Sequence, residues 1–195
     1  MDYILENYEW DNTWIEKTEQ ITEKRVLYIG DSISCGTRTQ ANIIADGEIL
    51  FDGFGTSKSL DNPYYVESLL SFTKQGPDRK VVIFNNGLHG WHISEDRYEE
   101  LYVNFVNELV VNFPDAVLVL VLTTFVTNEK FHNDRVIERN EIAMKIAKRF
   151  NLPIIDLYTV SKENKEFISD DGVHFLEKGY QILANKVLSV VKEYL

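Results

Sequence analysis

The residue types needed for serine chemistry stand at two widely separated places in this chain. Ser32 closes Gly30-Asp31-Ser32, directly after the apolar run Val26-Leu27-Tyr28-Ile29. Such a run reads as a buried parallel strand, and the sharp turn after it leaves the serine at the strand's carboxyl end. In open α/β sheets that edge is where ligands bind. A serine hydroxyl becomes a nucleophile when a neutral imidazole takes its proton, and the imidazole needs a carboxylate to hold its tautomer and stabilise the imidazolium that forms. The late segment Ser169-Asp170-Asp171-Gly172-Val173-His174 offers both groups from one short loop. The spacing of three favours Asp171 over the adjacent Asp170 as the partner of His174. The expected catalytic residues are therefore Ser32, Asp171 and His174.

Loops from opposite ends of a chain meet only if the elements beneath them end at one edge. Strand-like segments at residues 25–29, 48–51, 80–85, 116–122 and 153–156 alternate with helix-like segments at 62–72, 95–112, 133–150 and 176–194. That alternation predicts βα repeats around a parallel sheet. In the last helical segment Tyr180, Leu183, Ala184, Val187, Val190 and Val191 recur at helical spacing and predict one buried face. With 195 residues and 44% hydrophobic content the chain can bury a sizeable core and is read as one domain, residues 1–195. Residues 1–23 lie outside the repeat, as an extension that packs across the sheet or covers the site.

Charge narrows the partners. A net charge of −11 argues against nucleic acid, whose binding rests on basic surface, and against acidic membranes. No apolar stretch approaches the ~20 residues of a membrane span. The start MDYILENYEW has no basic stretch followed by an apolar one, so a cytoplasmic location is expected. The single cysteine, Cys35, allows no intrachain disulfide and reads as a small packing residue rather than a rival nucleophile. His89, His92 and His132 have no carboxylate spacing that completes a metal site, so neither metal nor cofactor is expected.

Two further blocks could serve the reaction. Closely spaced glycines in Asp52-Gly53-Phe54-Gly55-Thr56-Ser57 would let backbone amides approach a developing oxyanion. The second block, Asn85-Asn86-Gly87-Leu88-His89-Gly90-Trp91-His92, follows the third strand-like segment.

A Gly-Asp-Ser turn paired with a late Asp-x-x-His resembles the SGNH/GDSL hydrolases, from about Lys24 to the C-terminus. The resemblance implies a three-layer α/β/α sandwich, flavodoxin-like, around a central parallel five-stranded sheet. It implies a serine esterase acting through the triad without a cofactor, with an oxyanion hole built from the amide of Ser32, Gly55 in the glycine block and a third donor. The usual third block is Gly-x-Asn-Asp; matching on Gly87 puts His89 where the asparagine belongs and Gly90 where the aspartate belongs. An imidazole N–H can donate as an amide does, so His89 is the reading kept first, with Asn86 as substitute and Asn85 on a shifted match. The same block looks like a divergent branch of these hydrolases. Asp31 and Trp91 are expected to contact substrate. The substrate expected is a small-molecule or glycan ester, with carbohydrate O-deacetylation favoured by aromatic residues near the third block. An acyltransferase or thioesterase would use the same triad, and a non-catalytic binding module would keep the fold without it.

Overall fold

The computed structural model describes residues 3–22 and 24–195. Five strands are parallel: β2 (Arg25–Gly30), β3 (Leu50–Thr56), β4 (Val81–Phe84), β5 (Val117–Val121) and β6 (Ile154–Ile155). Their order in the sheet is β3-β2-β4-β5-β6, the flavodoxin-like arrangement. The first parallel strand thus lies inside the sheet with its sequence neighbours on either side. At that reversal, where the loops leaving β2 and β4 turn to opposite faces, open α/β sheets generally bind their ligands. The strands read as near-continuous apolar runs because both faces are covered.

Alternate side chains feed two cores. Leu27, Ile29, Val82, Phe84, Leu118 and Leu120 face helices α2 (Tyr65–Thr73), α3 (Glu95–Asn112) and α4 (Asn133–Phe150). Val26, Tyr28, Val81, Ile83, Val119 and Val121 face α1 (Ser32–Ala45), the start of α5 (Leu157–Glu163) and α6 (Glu177–Val191). The result is the expected three layers. Each fully buried large aliphatic or aromatic side chain stabilises such a core by about 1.5–3 kcal/mol. Among the described residues no helix is long and apolar enough to cross a membrane.

Four differences from the sequence reading have physical causes. A sixth strand, β1 (Asp11–Trp14), is supplied by the N-terminal extension and pairs antiparallel to β3 at the sheet edge. All four of its residues are exposed, so no apolar alternation marks it. Strand β3 runs on to Thr56, well past residue 51, and carries the glycine block inside the sheet. Helix α1 was not expected because its buried face is written partly in polar residues, Ser34, Thr37 and Arg38 among them. The second helix begins at Tyr65, after Pro63, since the residue before a proline avoids the helical region.

The edge strand is anchored by a buried cluster at the other end of the sheet. Asp52 in β3 accepts from Arg25 Nη1 at 2.6 Å and from Arg79 Nε at 2.8 Å, all three side chains being buried. Arg25 also donates to the carbonyls of Glu16, Lys17 and Gln20, and Asp52 accepts from the Glu16 amide. The chain leading out of β1 is thereby tied to the bottom of the core.

Candidate active site

Ser32 is the first residue of α1, immediately beyond β2. Helix formation starts there because Asp31 is extended and its carboxylate accepts from the amides of Ile33 and Ser34 at 2.9 and 3.4 Å, an N-cap. The Ser32 amide, in the first turn of a helix, has no intrahelical acceptor and is free to point at an anion. Asp31 itself is buried, 4% exposed, and committed to the cap. The carboxylate expected to contact substrate is thus engaged with the Ile33 and Ser34 amides. The carboxylate lies against Gly87, whose φ is +68° and where a Cβ would overlap Asp31 Oδ2. Only glycine meets both demands at residue 87.

The loop from Ser169 to His174 closes on the same edge. Asp171 Oδ1 accepts from the amides of Val173 and His174 and from Ser169 Oγ, which folds the loop around the carboxylate. Asn128 buttresses it from outside, donating its side-chain amide to the Asp171 carbonyl at 2.7 Å. Asp171 Oδ2 meets His174 Nδ1 at 2.6 Å, and His174 Nε2 meets Ser32 Oγ at 2.8 Å. The partner of His174 is thus Asp171 rather than Asp170. Burial, although slight, works to raise the Asp171 pKa, but the hydrogen bonds from His174, the two amides and Ser169 outweigh it and hold the carboxyl well below the usual range. The side chains of His174 and Asp171 are 43% and 50% exposed, so the relay stands open to water.

The other expected residues are placed differently. Gly55 lies within β3, paired to Gly30 on one side and Asn12 on the other. A Cβ at residue 55 would overlap Cys35 Sγ, and one at residue 53 would overlap Arg38 Cδ. The glycines let α1 nest on the strand, a packing reason that does not depend on an oxyanion. Asn85 is buried and donates to the Val121 carbonyl and Thr123 Oγ1, which ties β4 to the end of β5. Asn86 donates to the Lys58 carbonyl at 3.3 Å, while its Oδ1 is buried without a partner. His89 turns toward the N-terminal segment: its Nδ1 is 3.6 Å from Glu6 Oε1, which also accepts from the Gly90 amide at 2.9 Å. Burial tends to raise the Glu6 pKa, but the neighbouring His89 imidazole and the hydrogen bond from the Gly90 amide prevail and lower it.

Sequence reasoning missed the residues that shape this loop. Arg139, 2% exposed, donates to the carbonyls of His89 and Gly90 at 2.9 and 2.7 Å and pairs with Glu95. Arg135 pairs with the same Glu95 and donates to the carbonyls of Trp91 and Ile93. Both guanidinium groups lie over the Trp91 ring, 4.7 and 4.6 Å from its centroid. Trp91 is therefore gripped by cations and anchors the loop, which leaves less of the ring for a substrate than expected. No sequence signal marks an arginine whose acceptors are main-chain carbonyls.

Two other features compete for attention. His92, Asp61 and Ser59 form a second cluster, but Asp61 sits between the other two and accepts from both, so His92 takes no proton from Ser59. A concavity of about 1090 Å³ lies between Ile21, Arg79, Lys80 and Phe113, at the amino ends of β4 and β5 and far from Ser32. Among the described residues no group of three or more His, Cys, Asp or Glu could hold a metal ion.

No protein-family model matches the sequence, and no curated protein matches it. Solved structures do. An acetyl xylan esterase superposes with a TM-score of 0.66 at 19% identity, over 86% of this chain and 99% of that one. A lipase/acylhydrolase from Enterococcus faecalis gives 0.68 at 17% identity, over 87% and 96%. A GDSL-like lipase from Bacteroides thetaiotaomicron gives 0.69 at 18% identity, over 89% and 90%. At these identities the likeness establishes the fold. The chain has the fold of the SGNH/GDSL hydrolases.

Proposed function

We propose that this chain of SGNH/GDSL hydrolase fold is a serine esterase, with Ser32 as nucleophile, His174 as general base and acid, and Asp171 as the group that orients and balances His174. The observation that carries the reading is the continuous relay from Ser32 Oγ, at the start of α1, through His174 to Asp171, at 2.8 and 2.6 Å. His174 Nε2 takes the Ser32 proton as Oγ attacks the ester carbonyl, and the Ser32 amide stabilises the oxyanion. His174 then returns the proton to the departing alcohol. Water, deprotonated by the same imidazole, attacks the acyl-enzyme and releases the acid with Ser32 restored. A preset donor is worth about 10²–10³-fold in rate. His89, at the tip of the third block, is the candidate for a further donor once Glu6 withdraws from it. The open exposure of His174 and Asp171 favours water over an excluded acceptor, and hence hydrolysis over acyl transfer.

The substrate we favour is an O-acetyl group on a carbohydrate. Supporting it is the fold shared with an acetyl xylan esterase. The test is hydrolysis of p-nitrophenyl esters over a ladder of acyl lengths, with Ser32→Ala and His174→Ala purified alongside. Turnover of short esters that both substitutions abolish supports the reading. Equal rates for the wild type and Ser32→Ala at every length remove it.

A further inference from the structure

The buried arginines Arg25, Arg79 and Arg139 each pair with a carboxylate, whereas Arg38, 7% exposed, makes no ion pair among the described residues. Its Nε is buried without a hydrogen-bond partner, and its guanidinium carbon lies 5.3 Å from the centroid of the half-exposed Trp14 ring. A cation held out of water with no carboxylate in hydrogen-bond contact is costly, even with Glu16 and Asp52 near enough to act on it through space. Burial accordingly lowers its pKa, against smaller opposing effects of Cys35, Glu16 and Asp52. The guanidinium helps line a pocket of about 280 Å³ with Trp14, Glu16, Thr39, Asn42 and Ile43. The neighbouring polar groups are already engaged. Asn42 bonds both main-chain groups of Phe51 and Glu16 Oε2, Thr39 donates to the Cys35 carbonyl, and Trp14 Nε1 donates to Glu16. Arg38 is left as the unspent donor.

We propose that Arg38 is the centre of a carboxylate-binding subsite that takes the acidic group of an acylated glycan, the Trp14 face carrying the sugar ring beside it. The identification as a substrate subsite rests on the esterase reading; the binding itself does not. A guanidinium fork matches a carboxylate with two parallel hydrogen bonds. Glu16 on the same wall repels a dianion about twice as strongly as a single carboxylate, so one negative charge is favoured over phosphate. The position fits an extended substrate. Ser32, Cys35 and Arg38 follow one another at intervals of three residues on α1, with Cys35 against Gly55 and Arg38 against Gly53 of β3. Arg38 thus lies about 9 Å along the helix from the nucleophile, the reach of an oligosaccharide rather than of an acyl group.

Calorimetric titration with sodium D-glucuronate, D-glucose and inorganic phosphate tests this on the wild type, Arg38→Gln and Trp14→Leu. The wild type is expected to bind glucuronate saturably, with glucose and phosphate each at least about tenfold weaker. Arg38→Gln should weaken glucuronate by about tenfold or more, and Trp14→Leu, at an exposed side chain, by a smaller factor with the fold intact. Absence of glucuronate binding by the wild type, glucose or phosphate binding equally well, or unchanged affinity in both variants overturns the proposal. If Arg38→Gln does not fold, Trp14→Leu decides: unchanged glucuronate affinity overturns the subsite. Glucuronate binding that depends on Arg38 in a protein lacking esterase turnover keeps the carboxylate site and removes the esterase reading instead.

Discussion

Replacing Gly87 by alanine should disturb the candidate nucleophile through Asp31, without touching Ser32. The backbone at residue 87 has φ of +68°, and the added Cβ would overlap Asp31 Oδ2. The left-handed conformation costs a non-glycine residue about 1–2 kcal/mol. Displacing the Asp31 carboxylate forfeits the cap over Ile33 and Ser34, worth about 1 kcal/mol. Gly87→Ala should therefore destabilise by about 2–3 kcal/mol. For 195 residues the unfolding entropy is about 0.4 kcal/mol/K, so Tm should fall by about 5–7 °C. Asp31→Ala alone should cost about 1 kcal/mol. In that background the steric conflict has gone, and Gly87→Ala should cost only the backbone portion. Thermal unfolding of the four proteins should then show a double mutant more stable than additivity requires, by about 1 kcal/mol. Strict additivity would refute the contact between the carboxylate and Gly87. An unchanged Tm in Asp31→Ala together with a raised KM would return Asp31 to the substrate-contacting part expected from the sequence.

Four other substitutions have outcomes fixed by the same structure. Asp171→Asn should lower kcat on p-nitrophenyl acetate by about 10²–10⁴-fold with little change in KM, since the carboxylate acts on His174 and not on substrate. Because the folded Asp171 pKa lies below that of the unfolded chain, its contribution to stability is complete above about pH 4 and is lost as pH falls through the folded value; wild type and Asp171→Asn should therefore differ in Tm at neutral pH and converge in strong acid. Asp52→Ala should leave the buried guanidinium groups of Arg25 and Arg79 without their carboxylate and destabilise by about 3–5 kcal/mol, read as the shift in urea midpoint. Glu6→Gln should raise kcat/KM and His89→Ala should lower it if the imidazole donates to the oxyanion; an unchanged rate in both limits His89 to holding the N-terminal segment.

The parts of the site carried on local loops were legible in the sequence, and the parts built by packing were not. Ser32 follows a strand whose apolar run is visible, and Asp171 and His174 share one turn, so local spacing sufficed to propose them as partners. Helices α3 and α4 begin and end where their periodic pattern does. Gly53 and Gly55 were visible, but their reason was not: the side chains of Cys35 and Arg38 that need the space come from α1, an element whose polar buried face hides it from hydrophobic periodicity. Strand β1 escaped for the complementary reason, because an exposed edge strand is held by main-chain hydrogen bonds and by the Arg25–Asp52 cluster rather than by apolar alternation. Arg139, which sets the third block, bonds to carbonyls that every residue possesses, and no spacing records that.

The most direct test of Ser32 as an activated nucleophile is covalent labelling with a fluorophosphonate, followed by mass-spectrometric mapping of the modified peptide. One stoichiometric adduct on Ser32, formed fastest by the wild type and strongly slowed in His174→Ala, is the predicted result. Failure of the folded wild type to label, or an adduct on another serine with Ser32 unmodified, would contradict the account.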